Sequence, residues 1–257
     1  MRVMLWGLML GISMLSCRQG VQGDVFRVAV AANARYAVSE LAEVFEQTSG
    51  VAVEVVVSSS GKLTAQIEQG APYHLFFSAD MKYPAYLQER GLTAGPVIPY
   101  AGGQIVWWTL KDTLECTEGE GRVPVGSGKI AIAHPELAPY GAAAQSYLES
   151  IGVWEKLLPR LVYGESISQV SQYILAGAAS VGLTARSVVL APELKGRGFW
   201  MEIPATNYPP IQQGVVMTVA GEEKWSRECR AFLDLLHSAR GQGILESYGY
   251  LIPAERD

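Results

Sequence analysis

Apolar residues recur along this chain with two periods, and the switches between them mark out its elements. Residues 26–32 form a small, β-branched run that reads as a buried strand ended by Asn33. Across residues 34–47 the positions Ala37, Leu41, Val44 and Phe45 follow helical spacing, and Gly50 suits the carboxyl-terminal cap. Residues 52–57 alternate, with Val53, Val55 and Val57 on one face, and predict a second strand broken by Ser58-Ser59-Ser60-Gly61. Leu63 and Ile67, one turn apart, predict a short helix closed by Gly70, and residues 74–78 a third strand. Strand, helix, strand, helix, strand is the pattern of a parallel sheet flanked by helices.

The same grammar returns further on. Residues 104–109, 130–134, 161–163 and 181–184 read as strands, and 142–151 and 168–176 as helices, the latter with Val170, Tyr173 and Ile174 on one face. A closing amphipathic helix is expected over 222–236. No Pro/Ser-rich linker separates the halves, so two α/β lobes joined by strand-like crossings at 100–103 and 211–214 are expected. One lobe takes residues 25–102 and 213–257, the other 103–212.

The first sixteen residues stand apart. Arg2 precedes an apolar stretch, residues 3–14, which as a helix spans about 18 Å against a hydrocarbon core of roughly 30 Å. A single positive charge, a short apolar core and small residues near its end match a secretory signal over residues 1–16. The ending Met14-Leu15-Ser16-Cys17 resembles a bacterial lipoprotein signal, which makes Cys17 the lipidation candidate, 17–24 a tether and the location extracytoplasmic. A cleaved, unlipidated signal and a retained anchor are the other readings. Export would leave Cys116 and Cys229 in an oxidising compartment, where they either pair or stay as buried thiols.

Composition narrows the function. In 257 residues, 49% are hydrophobic and 18% charged, as in a well-packed globular protein. Twenty Lys and Arg against 25 Asp and Glu leave a net charge of −5, so bulk charge implies no nucleic-acid partner. Three cysteines and three histidines show no metal-ligand spacing, which argues against a zinc enzyme. Ser60-Gly61-Lys62 and Gly128-Lys129 lack the flanking residues of a phosphate loop, since Val56 and Val123 replace the leading glycine and Leu63 and Ile130 the hydroxyl residue. No serine sits in a Gly-x-Ser-x-Gly elbow, although Ser60, His74 and Asp80 assemble on paper as a triad. Trp107-Trp108 reads as strand packing rather than a sugar platform.

Polar residues at helix starts say more. Asn33 and Ser60 each fall where a strand passes into a helix, positions that ordinary capping explains at about 1 kcal/mol each. Two helix amino termini at the carboxyl edge of one sheet also make an anion site. The second half offers a matching pair, the turn from His134 to Tyr140-Gly141 and the segment Gly164-Glu165-Ser166-Ile167, each leading into a helix.

These segments resemble a known family. Ala31-Ala32-Asn33, Ser58-Ser59-Ser60-Gly61, the run Ala65-Gln66-Ile67-Glu68-Gln69-Gly70-Ala71-Pro72-Tyr73, Phe76-Phe77-Ser78-Ala79-Asp80 and His134-Pro135 through Ala138-Pro139-Tyr140-Gly141 are similar to periplasmic molybdate-binding proteins of ABC transporters. The resemblance implies an α/β, two-lobed periplasmic-binding-protein fold of type II, each lobe a central sheet flanked by helices, with the ligand in the cleft between them. It implies a non-enzymatic, monomeric protein without a cofactor that captures molybdate, and tungstate with it, and delivers it to a membrane permease. Carried over by position, Asn33 and Ser60 are ligands from the first lobe, and Tyr140 and Ile167 supply backbone N–H groups from the second. All four would contact molybdate; no free-cation site is implied. Ala32 stands where some relatives carry a hydroxyl, and Ala185 where others have a ligand tyrosine, so one side-chain hydrogen bond is missing or replaced. Asp80 is expected to make structural hydrogen bonds, because a carboxylate repels a dianion, and Lys62 and Arg35 to be solvated. Competing readings are a sulfate- or other oxyanion-binding protein, a hydrolase using Ser60 and His74, and a ligand-sensing subunit.

Overall fold

The computed structural model describes residues 25–117 and 123–253; Cys17, the signal and the tether lie outside the described residues. Strand β1 (Phe26–Ala31) leads through a 3-10 turn (Ala32–Ala34) into α1 (Arg35–Ser49), followed by β2 (Val53–Ser58), α2 (Ser60–Glu68), β3 (Leu75–Ser78), α3 (Lys82–Glu89) and β4 (Ile98–Gly103). Helix α1 buries Ala37, Leu41, Val44 and Phe45, the stripe its spacing predicts, and ends on Gly50 at φ 72°.

The chain then builds a second sheet. Its elements are β5 (Ile105–Thr109), β6 (Ile130–Ala133), α4 (Pro139–Ser150), α5 (Trp154–Leu157), β7 (Leu161–Gly164), α6 (Ile167–Leu175), β8 (Val181–Ala185), α7 (Arg186–Val189) and β9 (Phe199–Glu202). It returns through β10 (Ile211–Met217), α8 (Val219–His237) and α9 (Ala239–Ser247). The sheet orders are β2-β1-β3-β10-β4 and β7-β6-β8-β5-β9. Each has three parallel strands, those of the first lobe as expected; beyond them one strand, β10 or β5, runs against the rest, and the edge strand β4 or β9 pairs antiparallel with it. Periodicity carries no strand direction, so the sequence pattern could not show this.

Both sheets are covered on two faces. In the first lobe, Val28 and Val30 point to α1, α8 and α9, where Phe26, Phe45, Phe77 and Phe232 pack ring to ring. Ala29 and Phe76 point the other way, to Leu63, Ile67 and Leu87. Trp107 and Trp108 lie fully buried in the core of the second lobe, as packing residues. Cys116 and Cys229 belong to different lobes and do not bridge each other. No helix among the described residues is long and apolar enough to cross a membrane.

Two crossings join the lobes side by side. Only Gln104 separates β4 from β5, and β10 re-enters the first sheet with Ile211 opposite Gly103.

Candidate functional site

The parallel strands of both lobes point their carboxyl ends at the interlobe boundary, and each is followed there by a helix or turn start. Hydrogen bonds draw these starts together. The Gly61 N–H in the first turn of α2 donates to Leu137 O, just before α4, at 3.0 Å. A Cβ on Gly61 would lie 2.9 Å from the Tyr83 hydroxyl and 3.1 Å from Leu137 O, so this approach needs glycine. Lys62 Nζ reaches Glu165 Oε2, two residues before α6, at 2.5 Å, and the Tyr83 hydroxyl donates to Glu136 O at 2.8 Å. Deeper in, α6 packs on the 3-10 turn that holds Asn33. Asn33, Ser60, Tyr140 and Ile167 are thereby brought to one boundary, all buried.

Neither Asn33 nor Ser60 is the cap that local chemistry suggested. Ser59 caps α2, accepting from the Lys62 N–H, while the residue preceding α1 is Ala34, whose side chain makes no capping bond. The two helices predicted for the second lobe begin earlier than expected, α4 at Pro139 and α6 at Ile167, which puts Tyr140 and Ile167 inside first turns rather than ahead of them. That matters because first-turn N–H groups have no intrahelical acceptor. In α2 the Gly61, Lys62 and Leu63 amides find acceptors, in α4 the Gly141 and Ala142 amides, and in α6 the Gln169 and Val170 amides. Among the described residues, the first-turn amides of Ser60, Tyr140, Ile167 and Ser168 remain with no protein acceptor. The Ser60 Oγ accepts from the Ala79 N–H at 3.0 Å, which turns its own proton outward.

The Asn33 side chain is locked. Its Nδ2 donates to Gln213 Oε1 at 2.8 Å and to the Tyr250 hydroxyl at 3.1 Å, so both amide protons are committed. The Asn33 backbone carbonyl accepts from Ser187 Oγ and from the Tyr250 hydroxyl, each at 2.8 Å. The donor this leaves to Asn33 is its backbone N–H, second in the turn. Around it Gln213 Oε1 also accepts from the Tyr100 hydroxyl at 2.7 Å, and Gln213 Nε2 donates to the Tyr140 hydroxyl at 3.1 Å. Burial pushes the Tyr250 hydroxyl up to about 12 and those of Tyr100 and Tyr140 well above their ordinary value of 10.0, so all three stay neutral.

Charged groups near the boundary are engaged elsewhere. Arg35 is exposed, over the Tyr36 ring at 5.2 Å, and Lys62 is paired with Glu165. Asp80 Oδ1 accepts from the Tyr83 N–H at 3.2 Å and the Ser78 hydroxyl at 3.1 Å, a structural role as expected. Burial pushes its carboxyl up, opposed by those hydrogen bonds. The paper triad does not form: His74 precedes β3, at the end of the strand away from the boundary, and its Nδ1 accepts from the Arg27 N–H at 2.9 Å. Ala185 ends β8 fully buried, and the hydroxyl two residues on, Ser187, goes to the Asn33 carbonyl. Among the described residues no cluster of His, Cys, Asp and Glu suits a metal ion.

Sequence reading missed Gln213, Tyr100, Tyr250 and Ser187. A glutamine at full burial inside β10 is the signal, but only the strand's register reveals which of Gln212 and Gln213 points inward.

Paired lobes of matching strand order, with helix starts of both facing one boundary, are the architecture of a two-lobed binding protein. The chain belongs to the bacterial extracellular solute-binding protein family, whose model matches residues 26–251. It is 36% identical to the molybdate-binding protein ModA of Rhodobacter capsulatus over 89% of this chain and 88% of that protein. The solved periplasmic molybdate-binding protein of Azotobacter vinelandii superposes with a TM-score of 0.82 at 33% identity, covering 89% of this chain and 99% of that one. The sulfate-binding protein SubI of Mycobacterium tuberculosis shares the fold alone, with a TM-score of 0.71 at 13% identity over 90% of this chain and 87% of that one.

Proposed function

We propose that this protein captures molybdate, and tungstate with it, between its lobes and delivers it to an ABC permease, without catalysing a reaction and without a cofactor. The carrying observation is the set of first-turn amides left without protein acceptors at one buried, neutral boundary. In this reading the backbone N–H groups of Asn33, Ser60, Tyr140 and Ile167 and the Ser60 hydroxyl surround the four oxygens. Neutral dipoles offset a dianion's charge, each charge-assisted hydrogen bond contributing about 1.5–3 kcal/mol. Fixed amides also set the cavity's size, which separates molybdate from the smaller sulfate, whereas a flexible lysine would accept either. Identity with the two molybdate-binding relatives supports the larger anion. The protein acts as a monomer outside the cytoplasm, tethered through a lipid on Cys17.

Thermal unfolding of the anion-stripped protein with molybdate, tungstate, sulfate or phosphate at equal ionic strength tests this. Ligand at a hundred times its dissociation constant stabilises by about 2.7 kcal/mol, or roughly 5–10 °C for a chain this long. Molybdate and tungstate are expected to give that shift, and Ser60→Ala to weaken binding by about 10- to 150-fold. A shift with sulfate alone changes the substrate; no shift with any anion sinks the proposal.

A further inference from the structure

Gln213 is fully buried, yet it lies in the returning crossing strand rather than at a helix start. Its amide spans the lobes. The oxygen accepts from Asn33 Nδ2 and the Tyr100 hydroxyl, both first-lobe groups, and the nitrogen donates to the Tyr140 hydroxyl of the second lobe. This orientation is forced, since a flipped amide would set its nitrogen against the Asn33 nitrogen, two donors face to face. The meeting point also demands an absent side chain: a Cβ on Gly103 would come within 2.1 Å of the Tyr140 oxygen and 2.7 Å of Gln213 Nε2. Asn33 and Tyr140 are two of the residues whose backbone amides face the boundary, one in each lobe.

We propose that Gln213 is a positioning residue that couples lobe closure to assembly of the oxyanion site, an inference that rests on the function proposed above. It fixes the Asn33 turn at all times through its oxygen. Its nitrogen engages the Tyr140 hydroxyl only when the second lobe swings in, drawing the first turn of α4 and its Tyr140 N–H against the anion. The Ser187 to Asn33 carbonyl bond closes on the same turn from the second lobe. Opening the cleft strands these groups, and closure with ligand satisfies them, so the hinge and the site respond together.

A double-mutant cycle with Gln213→Met and Tyr140→Phe tests the coupling, with molybdate affinity measured by calorimetry and closure by the ligand-induced fall in radius of gyration in small-angle scattering. Tyr140→Phe keeps the backbone amide and the first-lobe hydrogen bonds, so it folds even where Gln213→Met does not. Tyr140→Phe is expected to weaken binding about tenfold and to reduce the compaction reached at a given molybdate concentration. Gln213→Met weakens it at least as much, and the double variant is no worse than Gln213→Met alone, because the two share one interlobe bond. Affinity within twofold of wild type for Tyr140→Phe, or single effects that simply multiply, overturns the proposal. A wild-type protein that binds no molybdate overturns instead the function on which it rests.

Discussion

The tyrosines of the central cluster hold their protons more tightly folded than unfolded, and that has a sign. Below pH 10.0 both states carry the protons and nothing is gained or lost. Above it the unfolded chain releases them first, so stability falls as pH rises toward about 12, the Tyr250 value; Cys229, raised by burial from 9.0 to about 12, adds a loss that already begins near pH 9.0. Each such group contributes a slope of up to about 1.4 kcal/mol per pH unit. Urea unfolding followed from neutral to alkaline pH is expected to show a plateau and then this decline. Tyr250→Phe flattens the decline by one group's share, and an unchanged slope would place its hydroxyl outside the buried cluster. Legibility at this scale was uneven. Asn33, Ser60, Tyr140 and Ile167 all lie at or just past strand-to-helix junctions, which leave a local mark in the sequence. Which atom of Asn33 faces the boundary depends on Gln213 and Tyr250, 180 and 217 residues away in sequence, and no local pattern carries that.

Elements with one strong apolar stripe were legible nearly to their ends: α1, α6 and β1 differ from expectation by one or two residues. Helix α3 was not, because it buries only Pro84 and Leu87 and shows no stripe to read. The start of α4 was placed three residues late, since Pro139 reads as a turn although proline suits the first helical position. Glycine separates packing from propensity here. Gly141 in α4 lies where a Cβ would meet Ala133 O at 2.3 Å, so the helix start rests directly on the end of β6. Gly243, inside α9, has nothing within 4 Å of its Cβ position. Gly141→Ala is expected to destabilise by about 1–3 kcal/mol, and Gly243→Ala to stabilise by about 0.5–1 kcal/mol. Paired thermal melts check both, and equal effects would contradict the close approach.

Across the whole molecule, depth decides what an interlobe contact contributes. Lys62 and Glu165 meet at the rim with side chains 40% and 62% exposed, so their pair is screened and contributes about 0–1 kcal/mol. Lys62→Ala is therefore expected to weaken molybdate binding by no more than about fivefold at low salt, a difference that closes near 1 M salt. A large, salt-independent loss would instead make Lys62 a ligand. Sequence reading could not show that the two expected crossings lie side by side. Strands β4 and β10 are hydrogen-bonded up to the point where the chain leaves the lobe. A laced pair of strands bends readily across its flat face and resists sliding along its length. In the function proposed above, such a hinge would hold the two lobes to a single swing with little sideways play, and a membrane partner would meet two silhouettes, gaping and shut.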